Sequence, residues 1–234
     1  MLNTIKSYAK INLFLNVVDK LDTGFHELNS VLSRINLYDE IRIKDESSFS
    51  ISYNGPFGDQ VGSNDHISKL FNYLIDKNYL KQKSFAIQVV KNIPVGSGLG
   101  GGSSNVAEII KYLIRSNLLD NSSSTEIARD LGSDIEFFID EGSALISGKG
   151  NVDQRFKINS DKHFLIVFPN VQNSTKEIFN KHSNLSGEKF SYNKDTYLDG
   201  ILKNTSNELE KTALLANQEM KKIREYLNLS LIHI

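Results

Sequence analysis

Pro94-Val-Gly-Ser-Gly-Leu-Gly-Gly-Gly-Ser-Ser104 decides how the rest of the chain is read. Five of the seven positions from Gly96 to Gly102 are glycine, and two hydroxyl residues close the run. Upstream, residues 84–91 alternate apolar and polar, with Phe85, Ile87 and Val89 on one face, the pattern of a half-buried strand. Downstream, Val106, Ala107, Ile109, Ile110, Leu113 and Ile114 recur at helical spacing, which predicts a helix capped by Ser103 or Ser104. The unit is therefore strand, glycine loop, helix. Glycine lets the backbone take positive φ and lets a ligand approach where a Cβ would stand. The unpaired N–H groups of a helix start, helped by its dipole, make a seat for phosphate oxygens. Pro94, Val95, Gly96, Ser97, Gly98, Leu99, Gly100, Gly101, Gly102, Ser103 and Ser104 are thus the candidate nucleotide contacts.

Two better-known phosphate loops do not fit. A P-loop ends in Gly-Lys-Ser/Thr, and no lysine lies between Lys91 and Lys111. The Rossmann spacing matches Gly96, Gly98 and Gly101, but that fold needs a second strand ending in an acid about 20 residues further on. Here the helix runs into Asn121-Ser-Ser-Ser-Thr125 and then another helical pattern.

The loop instead resembles the second motif of the GHMP kinase superfamily, Pro-x-x-x-Gly-Leu-Gly-Ser/Gly-Ser-Ser-(Asn/Ala)-Ala. The triple glycine before Ser103-Ser104-Asn105 is similar to one branch, which acts on 4-diphosphocytidyl-2-C-methyl-D-erythritol in non-mevalonate isoprenoid synthesis. Three further stretches carry the likeness. Tyr8-Ala-Lys-Ile-Asn-Leu-Phe-Leu15 reads as a strand with Ala9, Ile11, Leu13, Leu15 and Val17 on one face and Tyr8, Lys10, Asn12 and Phe14 on the other. A lone strand lysine is ordinarily just solvated, but Lys10 and Asn12, two apart, can enter one cleft. Leu131-Gly-Ser-Asp-Ile-Glu-Phe-Phe138 follows a short helix that Ser123 and Glu126 are expected to open as a capping box and Gly132 to close. Asp134 stands at the next helical turn, where Ser133 and Glu136 form a second candidate box, and a dipole-favoured helix-start aspartate is its ordinary explanation. Asp22-Thr-Gly-Phe-His26 resembles the family's Gly-Tyr/Phe-His element.

The resemblance implies that Lys10 and Asp134 are catalytic, the aspartate accepting the proton of the substrate hydroxyl. It implies that Asn12, Phe25, His26, Thr175 and Phe179 bind substrate, the aromatic rings stacking on the cytosine and the histidine meeting its edge. ATP and Mg²⁺ are the implied cofactors, with no metal bound by a dedicated protein cluster. The expected reaction is ATP-dependent phosphorylation of the 2-hydroxyl of 4-diphosphocytidyl-2-C-methyl-D-erythritol. The alternatives are another GHMP kinase of a small alcohol and a nucleotide-binding but inactive fragment.

The 234 residues carry a net charge of −1, no long basic block and no cysteine, so nucleic-acid binding, disulfides and thiolate zinc sites are not expected. Five scattered histidines give no metal-ligand spacing, and no G-x-S-x-G elbow signals a serine hydrolase. The first strand begins within ten residues of Met1, leaving no room for a targeting peptide, and no apolar run nears the roughly 18 residues that span a bilayer. A cytoplasmic enzyme acting on a small molecule, monomeric or a weak homodimer, is expected.

The expected fold is α+β. Residues 1–155 correspond to a GHMP kinase N-terminal domain of ribosomal-protein-S5-like fold. Residues 161–234 correspond to an incomplete ferredoxin-like C-terminal domain, opening with the strand His163–Phe168 and holding a helix over residues 206–227 with Leu209, Ala213, Met220 and Ile223 inward. Lys181–Tyr197 reads as loop. The family pattern runs on through a third glycine-rich motif, whereas this chain stops at Leu229-Ser-Leu-Ile-His-Ile234; truncation and a non-native tail are expected, with an uncovered sheet edge as the consequence.

Overall fold

Two long strands carry the rest of the molecule. β1 (Thr4–Lys20) and β2 (His26–Asp45) pair antiparallel from Thr4 opposite Arg42 to Lys20 opposite His26. The computed structural model describes residues 4–22, 26–63, 65–81, 85–158, 163–169, 175–182, 201 and 207–231. Irregularities in the β1–β2 register between Tyr8 and Lys10, Asn12 and Phe14, and Val17 and Asp19 interrupt the simple alternation of β1. A bulge adds a residue to one strand and so exchanges the faces of the residues beyond it. Phe14, expected beside Lys10 and Asn12, is for that reason buried with Leu13, Val31, Leu145 and Ile201.

β1 occupies one edge of β2, and the other edge is shared. β4 (Phe85–Val90) pairs with residues 40–45 and β5 (Ser143–Gly148) with residues 28–32, both antiparallel. β3 (Ser50–Asn54) runs parallel to β4, and β6 (Asn151–Phe156) antiparallel to β5. Residues 33–39 of β2 thus lie between two partners, and this gap organises the candidate site.

Helices α1 (His66–Asp76), α2 (Gly101–Arg115), α3 (Ser124–Leu131) and α4 (Ile135–Ile139) pack on the sheet. Phe85, Ile87 and Val89, the alternating residues of β4, meet Leu70, Phe71 and Leu74 of α1 and Ile109, Ile110 and Leu113 of α2 in one buried cluster. Each such side chain contributes about 1.5–3 kcal/mol by leaving water.

Helix starts differ from their local signals. α2 begins at Gly101, with Gly100 in its cap position at φ 71° and no side-chain cap, so Ser103 and Ser104 fall inside the first turn. Ser123 makes no capping bond to α3; its φ is already helical because a short 3₁₀ turn, Asn121–Ser123, precedes it, and Asp120 caps that turn through Ser122 N–H. Ser133 and Glu136 form no box either: Asp134 precedes α4, and Glu136 pairs with Arg129 at 2.8 and 2.9 Å.

Farther on lie α5 (Thr175–Lys181), α6 (Leu209–Ala216) and α7 (Gln218–Leu231). The single helix expected over residues 206–227 is therefore two. Asn217 leaves helical geometry and its Oδ1 accepts from the N–H groups of Glu219 and Met220, ending one helix and capping the next. Leu209, Ala213, Met220 and Ile223 still share a face, lining a groove with Val167 and Pro169. Residues 163–169 form no strand, since no described strand pairs with them, and Leu165 is left 85% exposed. Asn207 and Glu208 dock on β1 instead: Glu208 N–H donates to Leu15 O at 2.9 Å, and Val17 N–H donates to the Glu208 carboxylate.

Candidate active site

The glycine loop hangs from the free edge of β1. Lys10 N–H donates to Leu99 O at 2.9 Å, and Ser97 Oγ bonds Pro94 O at 2.7 Å across the turn. Gly96, Gly98 and Gly100 have φ of 70°, 77° and 71°. Gly100 has a second requirement: a Cβ there would lie 3.0 Å from the Phe138 ring and 3.1 Å from Lys10 Cγ. Beyond it, Gly101, Gly102 and Ser103 form the first turn of α2, whose N–H groups have no carbonyl one turn back. These groups border a cavity of about 400 Å³ lined by the loop, Asn105, Asp134 and the start of α1. Of the eleven loop candidates, nine line it. Leu99 and Ser104 do not: the first gives its carbonyl to β1, and the second is buried with its hydroxyl turned beneath the loop.

Beneath the loop lies a buried polar network. Lys91 Nζ donates to Asp39 Oδ2, and Asp39 Oδ1 accepts from Asn92 N–H at 2.8 Å and Ile93 N–H at 2.9 Å. Asn105 Nδ2 reaches Ser7 Oγ at 2.9 Å and Asp39 Oδ2 at 3.1 Å, and Ser7 Oγ reaches Ser104 Oγ at 2.8 Å. Ser7 and Asp39 have no exposed surface and Lys91 has 4%. A buried ammonium is held by its carboxylate here, and the same carboxylate orients the chain entering the loop. Asp39 carries no local signal in the sequence, being one acid of a long strand far from Lys91.

Lys10 and Asp134 meet at the edge of the cavity, which Asp134 lines and Lys10 does not. Lys10 Nζ is 3.5 Å from Asp134 Oδ2, and it donates to Asn12 Oδ1 at 2.8 Å. Asn12 Nδ2 in turn donates to Ser30 Oγ at 2.8 Å, so the amide is fixed from β2. The lysine side chain is 8% exposed and the aspartate 37%, which leaves the carboxylate open to a ligand and the ammonium behind it.

The start of α1 forms the opposite wall, and no motif in the sequence marks it. Asp65 caps α1 through the N–H groups of Ile67 and Ser68 and accepts from the hydroxyls of Tyr53 and Ser68. Burial works to raise the Asp65 pKa, but these hydrogen bonds outweigh it and hold the carboxyl below its ordinary range. The His66 ring lies 3.2–3.4 Å from where a Gly102 Cβ would stand. Burial, then the Lys69 charge, lowers its pKa, so it faces the cavity as a neutral ring.

Of the residues expected to hold the substrate base, the described ones lie elsewhere. His26 stacks on Phe179 with ring centroids 5.4 Å apart and planes at 28°, and neither lines the glycine-loop cavity. Thr175 opens α5. Phe25 lies outside the described residues.

This architecture has known counterparts. Residues 65–145 match the GHMP kinases N terminal domain. A protein of Pelagibacter ubique (strain HTCC1062) named 4-diphosphocytidyl-2-C-methyl-D-erythritol kinase is 37% identical over 229 residues, 96% of this chain and 81% of its own length. The chain belongs to the 4-diphosphocytidyl-2-C-methyl-D-erythritol kinase family. A second member, from Desulfotalea psychrophila (strain LSv54 / DSM 12343), is 32% identical, with 94% of this chain and 78% of the relative covered. The fold agrees: a crystal structure of 4-(cytidine 5'-diphospho)-2C-methyl-D-erythritol kinase superposes with a TM-score of 0.71 at 24% identity, covering 95% of this chain and 81% of that one. A mevalonate kinase from Methanococcus jannaschii shares the fold at a TM-score of 0.53, with 16% identity, 96% of this chain and 80% of that one covered. Membership makes the protein an α+β kinase of the GHMP superfamily. No described helix is long and apolar enough to cross a membrane.

Proposed function

We propose that the protein transfers the γ-phosphoryl group of ATP to the 2-hydroxyl of 4-diphosphocytidyl-2-C-methyl-D-erythritol, with Asp134 as the proton acceptor. The observation that carries this reading is the 3.5 Å approach of Lys10 to Asp134, whose carboxylate lines a cavity walled by glycine backbone and a helix start. Phosphoryl transfer needs mainly positioning and neutralised charge. The first turn of α2 presents unpaired N–H groups to phosphate oxygens, and the glycines leave room for them to approach. The substrate hydroxyl oxygen forms the new bond to phosphorus as the bond to the β-phosphate oxygen breaks. Asp134 takes the hydroxyl proton, and Lys10, held by Asn12, keeps that carboxylate oriented and faces the developing charge.

Mg²⁺ keeps waters and binds through phosphates plus one or two carboxylates, so it needs no dedicated protein cluster. Asp134 and the Ser103 hydroxyl, both at the cavity, are the side chains that would meet it. The ion would neutralise phosphate charge.

His26 and Phe179 would hold the cytosine together with Phe25 and Thr175. The stack of His26 on Phe179, at 5.4 Å, keeps the edge-contacting histidine beside one of the two rings that would stack on the base.

The test is ADP release from Mg-ATP with and without the diphosphocytidyl substrate. Substrate-dependent release should fall on the order of 10²–10⁴-fold in Asp134→Asn, with ATP binding retained. Unchanged turnover in that variant would remove Asp134 as the base.

A further inference from the structure

Helix α4 is only five residues long, too short to hold its own shape by backbone bonds alone. Its first flank is Asp134, and its carboxyl end is gripped by three cations from three different elements. Arg34 of β2 donates to Phe138 O at 2.9 Å and also to Asp140 O. Lys111 of α2 donates to Phe138 O at 3.1 Å. Arg155 of β6 donates to Glu136 O at 2.9 Å, Phe137 O at 3.0 Å and Asp140 O at 3.1 Å. The guanidinium carbons of Arg34 and Arg155 also sit 5.8 and 5.9 Å from the Phe137 ring centroid.

Ion pairs account for only part of this arrangement: Lys111 Nζ is 2.5 Å from Glu108 Oε1 and Arg155 Nε 3.4 Å from Asp140 Oδ2. Burial lowers the pKa of Arg34, Lys111 and Arg155, with Glu108 or Asp140 only opposing it. The hydrogen bonds of the two guanidiniums here go to main-chain oxygens, which are the negative end of the helix. What those carbonyls control is the placement of α4 as a rigid piece. At one end of it stands Asp134, 3.5 Å from Lys10 Nζ. At the other the Phe138 ring packs over Gly100, where a Cβ would come within 3.0 Å.

We infer that Arg34, Lys111 and Arg155 form a cationic clamp that sets α4 against α2 and β6, holding Asp134 in register with Lys10 and the glycine loop. They are positioning residues: none touches the reacting atoms. The inference rests on the reading of Asp134 as proton acceptor. Arg155 is its most informative member, since it comes from the edge strand β6 and bonds two carbonyls in α4 and that of Asp140 in the turn after it.

The experiment is a double-mutant cycle on the full chain, with turnover and KM for ATP measured for Arg155→Ala, Asp134→Asn and the pair. Arg155→Ala should lower kcat about 10- to 100-fold, the scale of an ångström's misplacement, with KM for ATP changed less than about two-fold. In the Asp134→Asn background the same change should lower kcat less than about two-fold, because the group it positions is already gone. An equal loss in both backgrounds would overturn the clamp and leave the base reading intact. If Asp134→Asn alone has no effect, both fall together. Should Arg155→Ala fail to fold, Arg155→Lys keeps the charge but not the fork. It should show an intermediate loss of kcat, and wild-type kcat in that variant would overturn the inference.

Discussion

Gly98 and Gly100 have nearly the same backbone, φ 77° and 71°, but different surroundings. A Cβ on Gly98 would meet nothing within 4 Å, whereas on Gly100 it would lie 3.0 Å from Phe138 Cε2 and Cζ and 3.1 Å from Lys10 Cγ. Alanine at either position carries the left-handed backbone penalty, about 1–2 kcal/mol. At Gly100 the methyl must also displace an aromatic ring that is itself 1% exposed, and overpacking of that kind costs about 1–3 kcal/mol more. Urea unfolding should thus place Gly100→Ala about 2–5 kcal/mol below wild type and Gly98→Ala only about 1–2. Turnover separates them further, because pushing Lys10 Cγ moves the ammonium away from Asp134. At least a 10-fold fall in kcat is expected for Gly100→Ala, and much less for Gly98→Ala. Since the nearest ring atoms are at its far end, Phe138→Leu should recover part of the Gly100→Ala loss. Equal stability costs at the two glycines, within about 0.5 kcal/mol, would refute the claim that contact with Phe138 and Lys10 fixes this residue.

Two other expectations come from buried charge. Asp39→Asn leaves the Lys91 ammonium without its carboxylate and should destabilise the fold by about 3–5 kcal/mol in chemical unfolding; adding Lys91→Met should recover a substantial part of that, and no recovery would mean the pair is not the unit. Burial lowers the pKa of His66, so below about pH 6.5 the unfolded chain takes up a proton that the folded chain resists. Stability should accordingly fall as pH drops from about 6.5, and His66→Gln should flatten that slope, leaving the part due to His26, whose pKa burial also lowers.

The strand, the glycine loop and the helix after it were legible because their signals are local: alternation, glycine, helical spacing. Lys10 and Asp134 could be named from motifs, but their approach joins β1 to the start of α4, 124 positions apart by numbering (134 − 10), and no local rule measures that. Ser103 and Ser104 misled as caps because Gly100 starts the helix with backbone geometry alone, which keeps the first N–H groups free. Ser104 instead faces Ser7 in the network beneath the loop. Asp39 and the three cations around α4 are invisible for a related reason: each is an ordinary polar residue on its own element, and only the packing of β2, α2 and β6 around α4 and the loop gathers them. Asn217 was overlooked inside an apolar spacing that continues smoothly through it, although its cap divides the helix in two.

The bond from Lys10 N–H to Leu99 O ties the loop to the very residue whose side chain meets Asp134. Every side chain of the loop can be exchanged without deleting it, since both of its atoms belong to the main chain. The hydrogen of that amide is consequently a clock: its replacement by solvent deuterium records how often the loop lifts from the strand. A nucleotide that seats the loop should slow that hydrogen, giving a record of phosphate occupancy that is independent of whether transfer ever takes place.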